Sequence, residues 1–124
     1  MNGELLCVDT NIIIFTLAGS QSLADRVRGR MLAVSVVAEI EALSYPGLTV
    51  RERVRISEYV SRCVVIDIGD RVKMEAIALR AAFKLKLPDA IIAATALVLD
   101  ATLLTADKDM LRVAQNVKVQ LVTP

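Results

Sequence analysis

The feature that most constrains this chain is the order in which its apolar runs recur. Short stretches rich in apolar residues at Leu5–Val8, Met31–Ser35, Val64–Ile68, Thr102–Thr105 and Val117–Val122 alternate with longer segments of helical period. Each run is too short for a helix and suits a buried strand. A strand–helix–strand alternation sustained from end to end places successive strands parallel, with helices on the faces of the sheet. The expected fold class is therefore α/β.

Local signals set the helix limits. Asp9-Thr10-Asn11 ends the first strand and opens a helix to about Leu17, which Gly19-Ser20 breaks before a short helix over Ser22–Arg28. Val36 to Ser44 reads as helix, stopped by Pro46-Gly47. Thr49-x-x-Glu52 is a capping-box pattern. It opens a helix to about Arg62, with Val50, Val54, Tyr59 and Val60 expected toward the core and the arginines outside. Gly69-Asp70 introduces a helix from Arg71 to about Lys84, and Pro88 stands in the first turn of another that ends near Leu99. A short helix is expected from Asp107 to about Ala114. Without a linker, repeat or low-complexity stretch, residues 1–124 are expected to form one domain.

Composition narrows the chemistry. Apolar residues make up 55% and mean hydropathy is +0.54, leaving few polar residues to cover a small domain. An exposed apolar patch is expected, and with it a homodimer or partner interface. No stretch reaches the ~20 apolar residues of a spanning helix; the run Ala90–Leu99 reads as a buried core helix. The beginning of the chain carries Glu4 and lacks the basic region of a secretory signal. Cys7 and Cys63 lie in apolar runs and read as buried free thiols of a cytoplasmic protein. Two cysteines without histidine cannot build a usual zinc site. A net charge of +1 offers no bulk attraction for nucleic acid. The absence of histidine removes Ser-His, Cys-His and histidine acid–base mechanisms alike.

Carboxylates remain, and their placement is informative. Sites in open α/β sheets form at the carboxyl ends of the strands. Asp9 directly follows the first strand, Glu39 and Glu41 lie on the helix after the second, and Asp107 and Asp109 follow the strand Thr102–Thr105. Asp89 sits in the first turn of the Pro88 helix. Taken singly, Asp9 and Asp107 serve as helix caps and Asp89 as a complement to the helix dipole. Gathered at one rim they repel one another, and a divalent cation such as Mg²⁺ or Mn²⁺ removes that penalty. Glu39 and Glu41 are separated by about 200° of helical rotation, so only one faces such a site.

The stretches Val8-Asp9-Thr10-Asn11-Ile12, Ser35-Val36-Val37-Ala38-Glu39-Ile40-Glu41, Leu87-Pro88-Asp89-Ala90-Ile91-Ile92-Ala93-Ala94-Thr95-Ala96 and Leu103-Leu104-Thr105-Ala106-Asp107 together resemble the PIN-domain family, in particular its VapC-type toxins. That resemblance implies a three-layer domain, a central mainly parallel sheet flanked by helices, and an acidic, Mg²⁺-dependent ribonuclease site. By position Asp9, Glu41 and Asp89 look like the family's first three acids, as catalytic and metal-binding residues. Asp107 is favoured as the fourth and Asp109 stays as the alternative, Met110 standing where relatives often carry an aromatic residue. Thr10, Asn11 and Thr105 match positions that orient carboxylates or water. The implied function is the toxin half of a toxin–antitoxin pair, with RNA as substrate and a cognate antitoxin laying an apolar helix in a groove and directing a basic side chain at the acids. A PIN nuclease of RNA processing without an antitoxin is the second reading, and a phosphoacceptor receiver domain the third. The homodimer is expected on the helices after the second and third strands, where Ile56, Tyr59, Val60, Ile77 and Phe83 are candidates for contact or core.

Overall fold

Strands buried on both faces carry continuous apolar runs, because neither face meets water. Leu6, Cys7 and Val8 of the first strand, and Leu103 and Leu104 of the fourth, are fully buried in this way. The computed structural model describes residues 4–124 and places these strands at the centre of one sheet. Of the domain expected over residues 1–124, the first three lie outside the described residues. The elements run β1 (Leu5–Val8), α1 (Thr10–Leu17), α2 (Gln21–Val27), β2 (Met31–Ser35), α3 (Val36–Leu43), α4 (Val50–Ser61), β3 (Val64–Ile66), α5 (Asp70–Phe83), α6 (Leu87–Val98), β4 (Thr102–Thr105) and β5 (Val119–Leu121). The short helix expected from Asp107 to about Ala114 is a 3₁₀ segment, Lys108–Val113.

The sheet is five-stranded, in the order β3-β2-β1-β4-β5, and every pairing is parallel. The chain builds outward from β1 on one side, then returns to build β4 and β5 on the other. The crevice between β1 and β4 is therefore the topological switch point, where open α/β sheets place their ligands. Receiver domains follow a different order, 2-1-3-4-5, so this sheet excludes that reading.

Register explains where the outer strands stop. The strand expected over Val64–Ile68 is cut short: β3 ends at Ile66, which pairs with Ser35, the last residue of β2, and Asp67 follows. Likewise β5 covers only Val119–Leu121, the residues matched to Leu103–Thr105. Beyond its partner's end a strand has no ladder to join.

The flanking helices bury the stripes their periods prescribe. Helix α6 packs against α5, β1, β2 and β4. Ala90, Ala93, Ala94 and Ala96 are fully buried there, and such small side chains let the helix lie close to the sheet. In α4 the expectation is only half met. Ile56, Tyr59 and Val60 are buried, whereas Val50 and Val54 are 78% and 53% exposed. The buried three share one face, and Val54 lies about 160° from Ile56, so one helix packed on one side cannot bury both sets. The interface expected at Ile56, Tyr59 and Val60 is thus core, and Phe83 is half-buried against it. Ile77 alone of that group stays open, 64% exposed on α5, with Met74, Leu87 and Ile68 exposed as well.

Both cysteines are free. Burial pushes the Cys7 thiol up to about 12 and the Cys63 thiol up to about 11, so neither is a ready nucleophile. Cys63 is only half-buried, a departure from the expectation, since it follows α4 just before an edge strand. Among the described residues, no helix is long and apolar enough to cross a membrane.

Candidate active site

The carboxyl ends of β1 and β4 are joined through side chains as well as backbone. Asp9 follows β1 and its amide donates to the Leu104 carbonyl at 3.0 Å. Its carboxylate caps α1 by accepting from the Thr10 amide at 2.8 Å. The other oxygen accepts from the Thr105 hydroxyl at 2.7 Å and from the Asn11 amide group at 3.4 Å. Thr105 in turn accepts from the Asp107 amide at 3.0 Å, and Asn11 Oδ1 accepts from the Ala106 amide at 3.0 Å. The Thr105 and Asn11 side chains thus fasten the exit of β4 to the start of α1.

Glu41 enters from α3. Its carboxylate accepts from the Thr10 hydroxyl at 2.6 Å, 31 residues away in sequence. Asp89 arrives on the first turn of α6, and Asp107 caps the 3₁₀ segment by accepting from the Asp109 amide at 2.9 Å. Asp9, Glu41, Asp89 and Asp107 line one cleft of about 460 Å³, with Thr10 and Asn11. Glu39 and Asp109 are not among its lining residues, and Asp109 is exposed. The helix that carries both glutamates therefore turns Glu41 toward the cleft.

Sequence reasoning did not pick out the rest of the wall, which is Ile14, Phe15, Ser44, Tyr45 and Pro46. The signal was present in helical spacing. Ile14 and Phe15 lie four residues after Thr10 and Asn11, and Ser44 and Tyr45 lie three and four after Glu41. Neighbours at those spacings share a helix face.

Electrostatically the cleft gathers like charges. Burial, helped by the negative charges of Asp89 and Asp107 and opposed by hydrogen bonds from Thr105 and the Thr10 amide, pushes the Asp9 carboxyl up to about 6. Asp89 is raised as well, first by burial, then by Asp107 and Glu41, with Lys86 opposing and Asp109 adding. The salt bridges found among the described residues, Arg26–Glu4, Arg28–Asp25, Lys73–Asp70 and Lys118–Asp100, engage none of the four acids. Among the described residues no three carboxylates or thiols are gathered tightly enough to enclose a metal ion by themselves.

The sequence profile of the PIN domain matches residues 6–116. The chain belongs to the PIN domain family. Its fold is shared with solved structures of toxin–antitoxin complexes. A complex from Klebsiella pneumoniae contains a chain 29% identical to this one, with a TM-score of 0.79 over 93% of this chain and 95% of that one. VapBC2 from Rickettsia felis, bound to a DNA fragment of its promoter, matches at 19% identity and a TM-score of 0.83, over 96% and 99% of the two chains. DNA-bound VapBC from Salmonella typhimurium matches at 18% and 0.82, over 94% and 97%. The two at lower identity show the shared PIN fold alone. No curated protein sequence matches the chain significantly.

Proposed function

We propose that this PIN domain is a divalent-metal-dependent endoribonuclease and the toxin component of a toxin–antitoxin pair. The observation that carries the nuclease reading is the cleft at the switch point. It is lined by four carboxylates from four separate parts of the chain and by no lysine or arginine. A bound cation offsets the repulsion in such a group of charges at neutral pH. Their donor set is oxygen alone, which suits Mg²⁺ or Mn²⁺. The raised carboxyls of Asp9 and Asp89 fit that role, since each relieves its repulsion by binding a cation.

Asp9, Glu41, Asp89 and Asp107 would hold the ion, which would keep part of its water shell because the carboxylates do not enclose it by themselves. When bound, a divalent ion supplies a lowered pKa to water and charge stabilisation to a phosphodiester. The chain's own groups do the positioning. Thr105 and Asn11 hold the Asp9 carboxylate in one orientation. Thr10 does the same for Glu41 and leaves that carboxylate's second oxygen for the cleft. With no histidine in the chain, a proton delivered to the leaving oxygen comes from water or from a carboxyl of raised pKa.

The toxin reading is supported by the Klebsiella complex, the most similar in sequence of the three structures compared. It brings with it a cognate antitoxin as partner, a cytoplasmic location and a homodimer. The exposed apolar side of α5, with Met74, Ile77 and the neighbouring Leu87 and Ile68, offers a face for the dimer.

The deciding experiment is cleavage of single-stranded and structured RNA by purified protein with Mg²⁺, with Mn²⁺ and with excess chelator. Cleavage that needs the ion and disappears in chelator is the expected result. Equal cleavage in chelator overturns the metal mechanism. Rescue of toxin-arrested growth by a protein encoded beside this one tests the toxin assignment separately.

A further inference from the structure

Helix α4 has two sides of different character. Ile56, Tyr59 and Val60 pack on the core. On the outer side Val50, Val54, Ser57 and Ser61 are all exposed, at successive spacings of four, three and four residues. That spacing keeps them within about 60° of one line along the helix. It is also the spacing of the seam in a two-helix coiled coil. Arg53 and Glu58 stand about 70° to either side of the line. These six residues together line one surface hollow of about 440 Å³. The salt bridges found among the described residues engage neither Arg53 nor Glu58.

Covering the two valines removes apolar surface from water. The serines are small, so a second helix can approach closely beside them. The Ser61 hydroxyl already donates to the Glu58 carbonyl at 2.7 Å, so covering it leaves no donor unpaired. The charges select the occupant. When two copies of such a helix lie parallel, a residue on one flank meets the residue five places further along on the facing flank of its neighbour. Five places beyond Arg53 is Glu58. Both flanks then join opposite charges, because a two-fold axis repeats the contact. Antiparallel copies would bring Arg53 near Arg53 and Glu58 near Glu58, and like charges at that range repel. The face is therefore complementary to itself in one orientation only. Its 12 residues make fewer than two heptads. Such a contact is smaller than the ~800 Å² per partner of a stable interface, so the association is weak and depends on concentration.

We infer that the outer face of α4 seats α4 of a second copy of this chain, parallel and about a two-fold axis, with Val50, Val54, Ser57 and Ser61 at the seam and Arg53 paired with Glu58 of the second copy on both flanks. This face is separate from the side of α5 and does not rest on the nuclease reading. Chains that also pair through α5 associate beyond the dimer when α4 pairs as well. The test is sedimentation equilibrium of the full chain over a concentration series reaching about 1 mM, the range of a weak contact. Wild-type mass rises with concentration. Arg53→Glu sets Glu against Glu on both flanks, and Glu58→Arg sets Arg against Arg. Each reversal weakens the step on the order of ten-fold, two attractive pairs becoming two repulsive ones, with the far-ultraviolet spectrum unchanged because both positions are exposed. The double variant, carrying both reversals, exchanges the two charges and associates as wild type does. An equimolar mixture of the two single variants also associates, since each supplies the charge that the other lacks. These variants are compared at equal concentration, so the result is independent of any pairing through α5. No rise in wild-type mass up to that concentration overturns the inference. Single variants that associate as strongly as wild type overturn it too. Loss in both single variants with no recovery in the double variant or the mixture assigns the face to a different protein, and likewise overturns it.

Discussion

Asp9 has two duties that pull in opposite directions. As the cap of α1 and acceptor from Thr105 it is favoured ionised, yet it is 96% buried beside other acids, which favours the proton (4% exposed). Burial wins, and its carboxyl rises from 3.8 to about 6. The folded chain therefore holds a proton that the unfolded chain releases between those values. The stability this contributes is full below 3.8 and is lost as pH rises through about 6. In metal-free protein, the urea midpoint of wild type should fall across that window more steeply than that of Asp9→Asn, which has no such proton to lose. Some slope should remain in the variant because Asp89 is also raised. Parallel curves for the two proteins would contradict the shift. The same variant should fold and fail to cleave RNA. At α3 the geometry ranks the two glutamates: Glu41 accepts from Thr10 in the cleft and Glu39 is not part of its wall. Glu41→Gln should lower kcat by about two orders of magnitude, and Glu39→Gln should stay near wild type, in assays run side by side. Equal loss in both would show that α3 is turned differently in the active protein.

Elements differ in how much of them local sequence specifies. Helix α4 opens with a full capping box, Thr49 accepting from the Glu52 amide at 3.1 Å and the Glu52 carboxylate from the Thr49 amide at 2.9 Å. Both partners are nearby in sequence, so the pattern was legible without a fold. Thr49→Ala should cost about 1 kcal/mol of stability, read as a lower urea midpoint with unchanged cleavage, since the box lies outside the cleft. The central strands β1, β2 and β4 were equally legible, because burial on both faces leaves consecutive apolar residues at their middles. Edge strands were not. The Val64–Ile68 run overstates β3, whose end is set by where β2 stops, a residue far away in sequence. Val50 and Val54 were misplaced for a related reason: a helix with two apolar stripes does not say which one the neighbours cover.

At the scale of the whole molecule, the apolar excess finds two destinations. Much of it fills the core around the sheet and α6, and part is left exposed, on α4 at Val50 and Val54, and on α5 at Met74 and Ile77 with Leu87 and Ile68 next to it. Light scattering of the purified protein should give twice the 13.5 kDa chain mass, and Ile77→Arg should give single chains with the far-ultraviolet spectrum unchanged. A single-chain mass for wild type at high micromolar concentration would assign this surface to another partner. By itself, sequence determined the α/β alternation, the acids that follow β1, β2 and β4, and the absence of any histidine chemistry. These are properties of residue type, period and order, which survive without contacts. Residue period left Glu39 and Glu41 open and the family resemblance favoured Glu41 and Asp107; the tertiary structure places both of those in the cleft, leaves Glu39 and Asp109 out of its wall, and alone shows that Phe15 and Tyr45 stand beside them. Those facts depend on how each helix is rotated against the sheet, and that rotation is set by packing between segments distant in sequence.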